Sequence, residues 1–280
     1  MMKSFTTIQK QITDISIGGF DGMHLAHQKL FSKIDPKNGA IIVIETGYAN
    51  LTPHKNRENY SSLPIYYYDL QDIRHLSGKE FIELLYSNFP KLSKIVVGYD
   101  FAFGKDRAYN ITSLKEIFKG EIVVVDELSI DGIAVHSRTI RAFLKEGNIK
   151  SANKLLGKNY SIKGNVIRGQ GLGKKQFVAT LNLDVNEFLI PKEGIYATKT
   201  TLNAKTYNSV SFIGHRVSTD GKYAIETHII DKTIDFSGGE VSIEFIDKIR
   251  DNKKFDNLLE LKAQILDDIQ IAKKTLISIH

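Results

Sequence analysis

Three short runs of β-branched residues, Ile41-Ile42-Val43-Ile44, Ile95-Val96-Val97 and Ile122-Val123-Val124-Val125, set the strongest limit on what this chain can fold into. None alternates with polar residues, so each suits a strand buried on both faces. Segments with helical spacing lie between them. His24 to Ile34 places Leu25, Leu30, Phe31 and Ile34 on one side, and Lys79 to Phe89 and Ser113 to Phe118 read the same way. Strands alternating with helices argue for a parallel sheet built from βαβ units. A further apolar run, Ile15 to Phe20, contains Gly18-Gly19 and precedes the first helix. The stretch from Asn50 to Tyr67 shows no period and reads as a long loop beside the sheet.

After Leu155-Leu156-Gly157 the texture changes. Residues 162–167, 180–185, 195–201, 209–213, 223–230 and 241–246 read as closely spaced strands punctuated by Gly and Asn, which suggests an antiparallel barrel. The last segment, 257–277, carries Leu258, Leu261, Ile265, Ile269, Ala272 and Leu276 on one helical face. The expected fold class is therefore α/β plus β: a parallel-sheet domain over residues 1–157, then an antiparallel β-barrel with a terminal helix over 158–280. A length of 280 residues fits two domains.

Hydrophobic residues make up 42% and charged residues 25% of the chain, enough apolar material for a buried core and too much for a disordered chain. The 38 Lys and Arg against 32 Asp and Glu leave a net charge of +6, which suits phosphate-bearing partners. The excess is dilute. The pairs Lys174-Lys175 and Lys273-Lys274 read as solvated faces, and no interleaving of basic and aromatic residues marks an RNA-binding surface, so no nucleic-acid partner is expected. The absence of Cys excludes disulfides, thiolate metal sites and Cys nucleophiles. The opening sixteen residues lack a signal-peptide core, and no apolar run approaches the roughly 20 residues that span a bilayer. The expectation is a cytoplasmic protein without a membrane partner. Its oligomeric state stays open.

The strongest local signal in the first half is Gly18-Gly19-Phe20-Asp21-Gly22-Met23-His24-Leu25-Ala26-His27, placed where a strand turns into a helix. Backbone N–H groups at such a helix start face an anion, so Gly19, Phe20, Asp21 and Gly22 are candidates for holding phosphate. His24 and His27 are three apart on the first turn and share a side. Their imidazoles can donate hydrogen bonds as charge builds at phosphorus. In the alternative reading His24 merely caps the helix and His27 packs. Val97-Gly98-Tyr99-Asp100-Phe101-Ala102-Phe103-Gly104 follows another strand, where loops of an open parallel sheet form the ligand crevice. Asp100 and Phe101 are its binding candidates, with packing as the competing role for the aromatics.

In the second half, glycines at Gly164, Gly169, Gly171 and Gly173 make a run able to fold over phosphates. The G-x-x-x-x-G-K-[ST] spacing of a Walker A loop is absent. Thr180-Leu181-Asn182 follows; its hydroxyl and amide oxygens are hard ligands suited to Mg²⁺. Glu226 lies within an otherwise β-branched strand, where a carboxylate can take a hydroxyl proton.

His24-Leu25-Ala26-His27 resembles the H-x-G-H nucleotidyltransferase superfamily, with Ala26 in place of Gly. His136-Ser137-Arg138-Thr139-Ile140-Arg141, just before a helix, is similar to that family's Ser-Ser-Thr-x-Ile-Arg element. Ser137 and Arg141 match, whereas His136 and Arg138 depart. The Gly98–Gly104 segment looks like the G-x-D-F-x-F-G element of bacterial FAD synthetases. Downstream, the order of the Gly-rich run, Ala179-Thr180-Leu181-Asn182 (for Pro-Thr-Ala-Asn), Gly194-Ile195-Tyr196-Ala197, Glu226-Thr227-His228-Ile229-Ile230-Asp231 and Ile249-Arg250-Asp251 resembles riboflavin kinase. Gln176-Phe177 replaces a usual Leu-Gly. Together the two halves resemble the bacterial bifunctional riboflavin kinase/FAD synthetase over nearly the whole chain.

The resemblance implies a Rossmann-like nucleotidyltransferase domain followed by a riboflavin kinase barrel. Riboflavin would be phosphorylated to FMN with ATP and Mg²⁺, and FMN adenylylated by a second ATP to FAD. It assigns Glu226 as base, Thr180 and Asn182 as metal ligands, Arg141 and Ser137 as phosphate holders, and Asp100, Phe101 and Arg250 as flavin or nucleotide contacts. The alternative is a riboflavin kinase whose first half has decayed.

Overall fold

The apolar runs form a five-stranded parallel sheet from β1 (Asp14–Gly18), β2 (Gly39–Glu45), β3 (Ile65–Asp69), β4 (Lys94–Gly98) and β5 (Glu121–Val125), in spatial order β3-β2-β1-β4-β5. The computed structural model of the chain describes residues 8–167, 178–232, 234 and 238–277. Alternate residues along the strands supply two cores. Ile15, Ile17, Ala40, Ile42, Ile95 and Val97 pack with Phe81, Ile82, Leu85 and Phe89 of the segment holding α3 (Gly78–Asn88), and with Leu114 of α4 (Ile111–Ile117). Ile41, Val43 and Val96 face the other way, onto Phe20, Met23, Ile34 and Leu30 of α1 (Leu25–Phe31). Helices cover both faces, as a doubly wound sheet requires. Ser77 and Glu80 close a reciprocal capping box at the start of α3.

The strand order reverses between β1 and β4, so the crevice at this switch point opens beside Gly18-Gly19 and Gly98-Tyr99. The Gly18–His27 and Gly98–Gly104 segments both begin there.

The expected loop over 50–67 is overturned. It contains a 3₁₀ turn at His54–Tyr60 and then β3, after the four-residue link ending in Pro64 and followed at once by the short helix α2 (Leu70–Ile73). Ile65-Tyr66-Tyr67-Tyr68 is a β-favouring aromatic run, but as an edge strand it lacks the β-branched signature of its neighbours. Arg57 in the 3₁₀ turn is fully buried against Glu45 at 2.6 Å, which pins the turn to the end of β2. A hairpin of β6 (Ser129–Ile130) and β7 (Ile133–Ala134) turns through Asp131-Gly132, both at positive φ. It leads into α5 (Ser137–Glu146), which begins at Ser137; the motif expected just before a helix lies within that helix. α6 (Ile149–Leu156) follows and ends on left-handed Gly157.

The chain divides into two compact units, residues 1–137 and 138–280. The second unit holds a closed antiparallel barrel of β8 (Ser161–Ile167), β9 (Leu181–Asp184), β10 (Gly194–Leu202), β11 (Lys205–His215), β12 (Tyr223–Ile229) and β13 (Glu240–Arg250), in order β10-β11-β12-β9-β8-β13. The terminal helix α7 (Leu258–Ile277) lays Ile269, Ala272 and Leu276 against Ile195, Ala197, Val210 and Ile246 on the outside of the barrel.

Inside the barrel, five buried hydroxyls form a ring. Thr198 meets Ser209 at 2.7 Å and Ser211 at 2.8 Å, Thr200 meets Ser209 at 2.8 Å and Thr227 at 2.9 Å, and Ser211 donates to Thr227 at 3.0 Å. Each hydroxyl carries one proton, so five bonds among five hydroxyls require each to donate once and accept once. The donation from Ser211 sets the sense: Thr227 gives to Thr200, Thr200 to Ser209, Ser209 to Thr198 and Thr198 to Ser211. Thr200→Val keeps the shape but leaves Ser209 and Thr227 each short of a partner. It is expected to cost about 1–3 kcal/mol in denaturant unfolding, against about 0.5 kcal/mol or less for Thr201→Val in the exposed Thr201–Thr206 pair.

Candidate functional site

Between β1 and α1 the chain is forced through an unusual path: Phe20, Gly22 and Met23 all take positive φ, at 46°, 90° and 45°. Glycine accepts this freely; Phe and Met do so only where the surroundings hold them. Phe20 is held by burial in the core and Met23 is fully enclosed. Asp21 is the main clamp. Its carboxylate accepts from the N–H of Thr52 at 2.8 Å, Leu51 at 2.9 Å and Asn50 at 3.2 Å. Gly22 N–H donates to Thr52 Oγ1 at 2.8 Å. Asp21 thus fastens the 50–52 segment to the glycine turn, and Gly19 is the exposed member of the set.

His24 occupies the N-cap position of α1 and is 3% exposed. Its ring stacks on His27 with centroids 3.5 Å apart and planes 21° apart. The edge of Phe20 meets His27 at 5.1 Å, and Phe31 lies 5.0 Å from Phe20, so the imidazole pair is braced from one side by aromatics. Ala26 lies between them at an ordinary position of α1. Ser137, at the start of α5, donates its hydroxyl to Asp21 O at 2.7 Å. That bond ties Ser137 to the glycine turn within the 1–137 unit. Arg141 is one helical turn further along α5, on the same side as Ser137, and falls in the 138–280 unit.

Asp100 is exposed just past β4. Phe101 is half-buried and stacks on Phe103 at 5.4 Å, and Phe103 packs on Phe81, so both aromatics contribute to the core of the sheet. Sequence reasoning missed Glu127. It accepts from Tyr99 Oη at 2.7 Å and bonds His136 Nε2 at 2.9 Å, linking the ends of β4 and β5 to the residue before Ser137. The Tyr99 hydroxyl, then His136, holds the Glu127 carboxyl below its ordinary range.

In the barrel, register decides which side chains meet. Asn182 on β9 stands directly opposite Glu226 on β12, Glu226 opposite Phe212 on β11, Phe212 opposite Ile195 on β10, and Ile195 opposite Arg250 on β13. Side chains directly opposite share a face at roughly 5 Å between Cβ atoms. Asn182 and Glu226 therefore neighbour one another outside the barrel, while Leu183 and Thr227 turn inward. Thr180 lies two positions before Asn182, and His228 Nδ1 meets Ala179 O at 2.8 Å, holding this stretch against β12. Burial pushes the Glu226 carboxyl up, and Arg216 beside it pulls back down. Arg216 Nη1 donates to Glu226 Oε1 at 3.0 Å. No local pattern in the sequence signals this pair, which depends on closure of the β11–β12 hairpin.

Asn182, opposite Glu226, and Thr180 two residues before it carry hard oxygens of the kind a divalent cation takes. Among the described residues no group of three or more His, Asp and Glu gathers that could hold a metal ion. Arg250 is held by Asp268 of α7 through Nε at 2.9 Å and Nη2 at 2.7 Å, a two-pronged pair that anchors the helix to β13. Gly164 answers to packing: a Cβ there would stand 2.5 Å from Asp184 O across the β8–β9 pair. Gly169, Gly171 and Gly173 lie outside the described residues.

Residues 156–276 match the family model described as riboflavin kinase, and 64–139 match the one described as FAD synthetase. The bifunctional riboflavin kinase/FMN adenylyltransferase of Buchnera aphidicola from Acyrthosiphon pisum is 33% identical, covering 93% of this chain and 92% of its own. The protein of the same description from Listeria monocytogenes is 29% identical over 91% and 90%. The crystal structure of a macrolide-efflux protein from Streptococcus pneumoniae matches with a TM-score of 0.81 at 24% identity, over 96% of this chain and 95% of that one; at this identity the likeness concerns the fold. A kinase with a decayed first half does not account for the FAD synthetase match or for relatives aligned along the full length. The chain belongs to the bifunctional riboflavin kinase/FMN adenylyltransferase family.

Proposed function

We propose that residues 1–157 carry the adenylyl transfer and residues 158–280 the phosphorylation, each with its own ATP. The observation that carries the kinase half is the cross-strand pairing of Asn182 with Glu226 on the outer face of the barrel. Glu226 takes the proton of the terminal ribityl hydroxyl of riboflavin as that oxygen attacks the γ-phosphorus of ATP, and ADP leaves. Thr180 and Asn182 hold Mg²⁺, which when bound supplies charge neutralisation at the phosphates. Little else is demanded of the protein in such a transfer beyond positioning. Gly164 and, outside the described residues, Gly169, Gly171 and Gly173 serve the ATP phosphates, and Arg250 fixes the edge of the flavin site through its hold on α7.

In the other half the FMN phosphate attacks the α-phosphorus of ATP and pyrophosphate departs. His24 and His27 donate to the reacting phosphate as its charge rises. Gly19 to Gly22 shape the turn that faces the triphosphate, with Asp21 setting its conformation rather than touching phosphate. Ser137 holds the turn through its hydrogen bond to Asp21 O, and Arg141 clamps the departing pyrophosphate with its planar donors. Asp100 and Phe101 border the nucleotide and flavin. ATP consumption in both steps fits an enzyme of the cytoplasm. No described helix is long and apolar enough to cross a membrane.

Product analysis from riboflavin, ATP and Mg²⁺ tests the division. Glu226→Gln should lower FMN formation by about 10²-fold or more, with conversion of supplied FMN to FAD intact. Near-normal kinase turnover in a folded Glu226→Gln protein removes the base assignment. His27→Ala should slow FAD formation by about 3–4 kcal/mol of barrier and leave FMN formation unchanged; equal loss of both would contradict separate sites. Asp21→Asn, which weakens a charge-assisted clamp of about 1.5–3 kcal/mol, should speed amide exchange at residues 50–52 and slow FAD formation, leaving barrel amides as protected as before.

A further inference from the structure

The turn between β11 and β12 is closed by backbone bonds from Arg216 N–H to Lys222 O at 2.9 Å and from Gly221 N–H to Arg216 O at 3.1 Å. Asp220 Oδ1 accepts the N–H of Lys222 at 3.1 Å, which fixes that carboxylate over the turn. The guanidinium of Arg216 lies against it, with Nη2 at 3.1 Å from Oδ2 and Nε at 3.1 Å from Oδ1. The remaining arm, Nη1, reaches Glu226 Oε1 at 3.0 Å, ten residues along the chain. The three side chains are only 17%, 22% and 20% exposed, so water competes weakly for these bonds.

We propose that Arg216 is a positioning residue of the phosphorylation reaction: its guanidinium, held flat by Asp220, fixes Oε1 of Glu226 and so presents Oε2 to the hydroxyl of the substrate. This rests on the reading of Glu226 as the base. A glutamate carboxylate turns easily about its last torsion, which is broad and roughly two-fold. A base must stay within hydrogen-bond reach of the proton it removes. A planar guanidinium whose Nη2 is bonded to Asp220 and whose Nη1 is bonded to Glu226 restricts that freedom, whereas an ammonium is a point charge without a fixed plane. Asp220 also balances the cation, so that Arg216 orients the carboxylate without cancelling its charge.

Steady-state riboflavin phosphorylation by four proteins (wild type, Arg216→Met, Glu226→Gln and the double variant) tests this, with Asp220→Asn and Arg216→Lys alongside. Arg216→Met should lower kcat about 10- to 100-fold, with KM for ATP and riboflavin within about twofold of wild type. Arg216→Lys, which keeps the charge without the fork, should remain nearer Arg216→Met than wild type. On the residual rate of Glu226→Gln, the further loss of Arg216 should cost nothing, because the residue acts through the carboxylate. If Arg216→Met fails to fold, Asp220→Asn reads the same coupling: a fall in kcat in the wild-type background and none in Glu226→Gln. Unchanged kcat in Arg216→Met, a raised KM for ATP at constant kcat, or equal falls in both backgrounds would each overturn the assignment. Near-normal turnover of Glu226→Gln itself would instead overturn the base reading beneath it.

Discussion

Alternation along the barrel strands is the constraint on which the kinase half depends. Successive side chains point to opposite faces, so Thr227 turns inward and Glu226 outward, and one residue of slip would exchange them. The same step would bury Asn182 and expose Leu183. The hydroxyl ring is what makes such a slip costly. It draws on Thr198 and Thr200 of β10, Ser209 and Ser211 of β11 and Thr227 of β12, and its bonds close only in the observed pairing. Polar interior contacts that are fully satisfied specify an arrangement better than apolar ones, which tolerate sliding. The outer row from Asn182 through Glu226 to Arg250 is the reverse side of that interior order.

The first half reaches its geometry by different means. A sheet with helices on both faces delivers two strand ends to one crevice, and the loop between β1 and α1 is then bent to order by Asp21. The carboxylate replaces solvent for three backbone donors that no helix or strand would satisfy. Fixing residues 50–52 in this way, with Arg57 locked under the same connection against Glu45, makes a long β2–β3 link as firm as a secondary-structure element. Rigid loops on a rigid sheet are what an oriented pair of imidazoles needs.

Much of this is legible in the residues. The β-branched runs announce β2, β4 and β5 because strands covered on both faces have no polar side to show. The turn-punctuated second half reads as a barrel for the opposite reason. The positions opposite one another across strands are accessible only as spaced motifs, and register alone brings Asn182 beside Glu226. Three features escape. β3 is an edge strand whose tyrosines carry neither alternation nor branching. Asp21 has the look of a phosphate-loop acid, whereas its partners stand some thirty positions away in sequence. Arg216 meets Glu226 only because a hairpin closes between them. Each depends on contacts that a local window does not contain.

The head-to-tail sense of the hydroxyl ring has an electrostatic consequence. Five O–H dipoles arranged in a circle largely cancel as vectors, so the polar interior of the barrel projects little field through its wall. The Glu226–Arg216–Asp220 cluster lies apart from that ring, so the polar groups that order the barrel add little to the field around these charges.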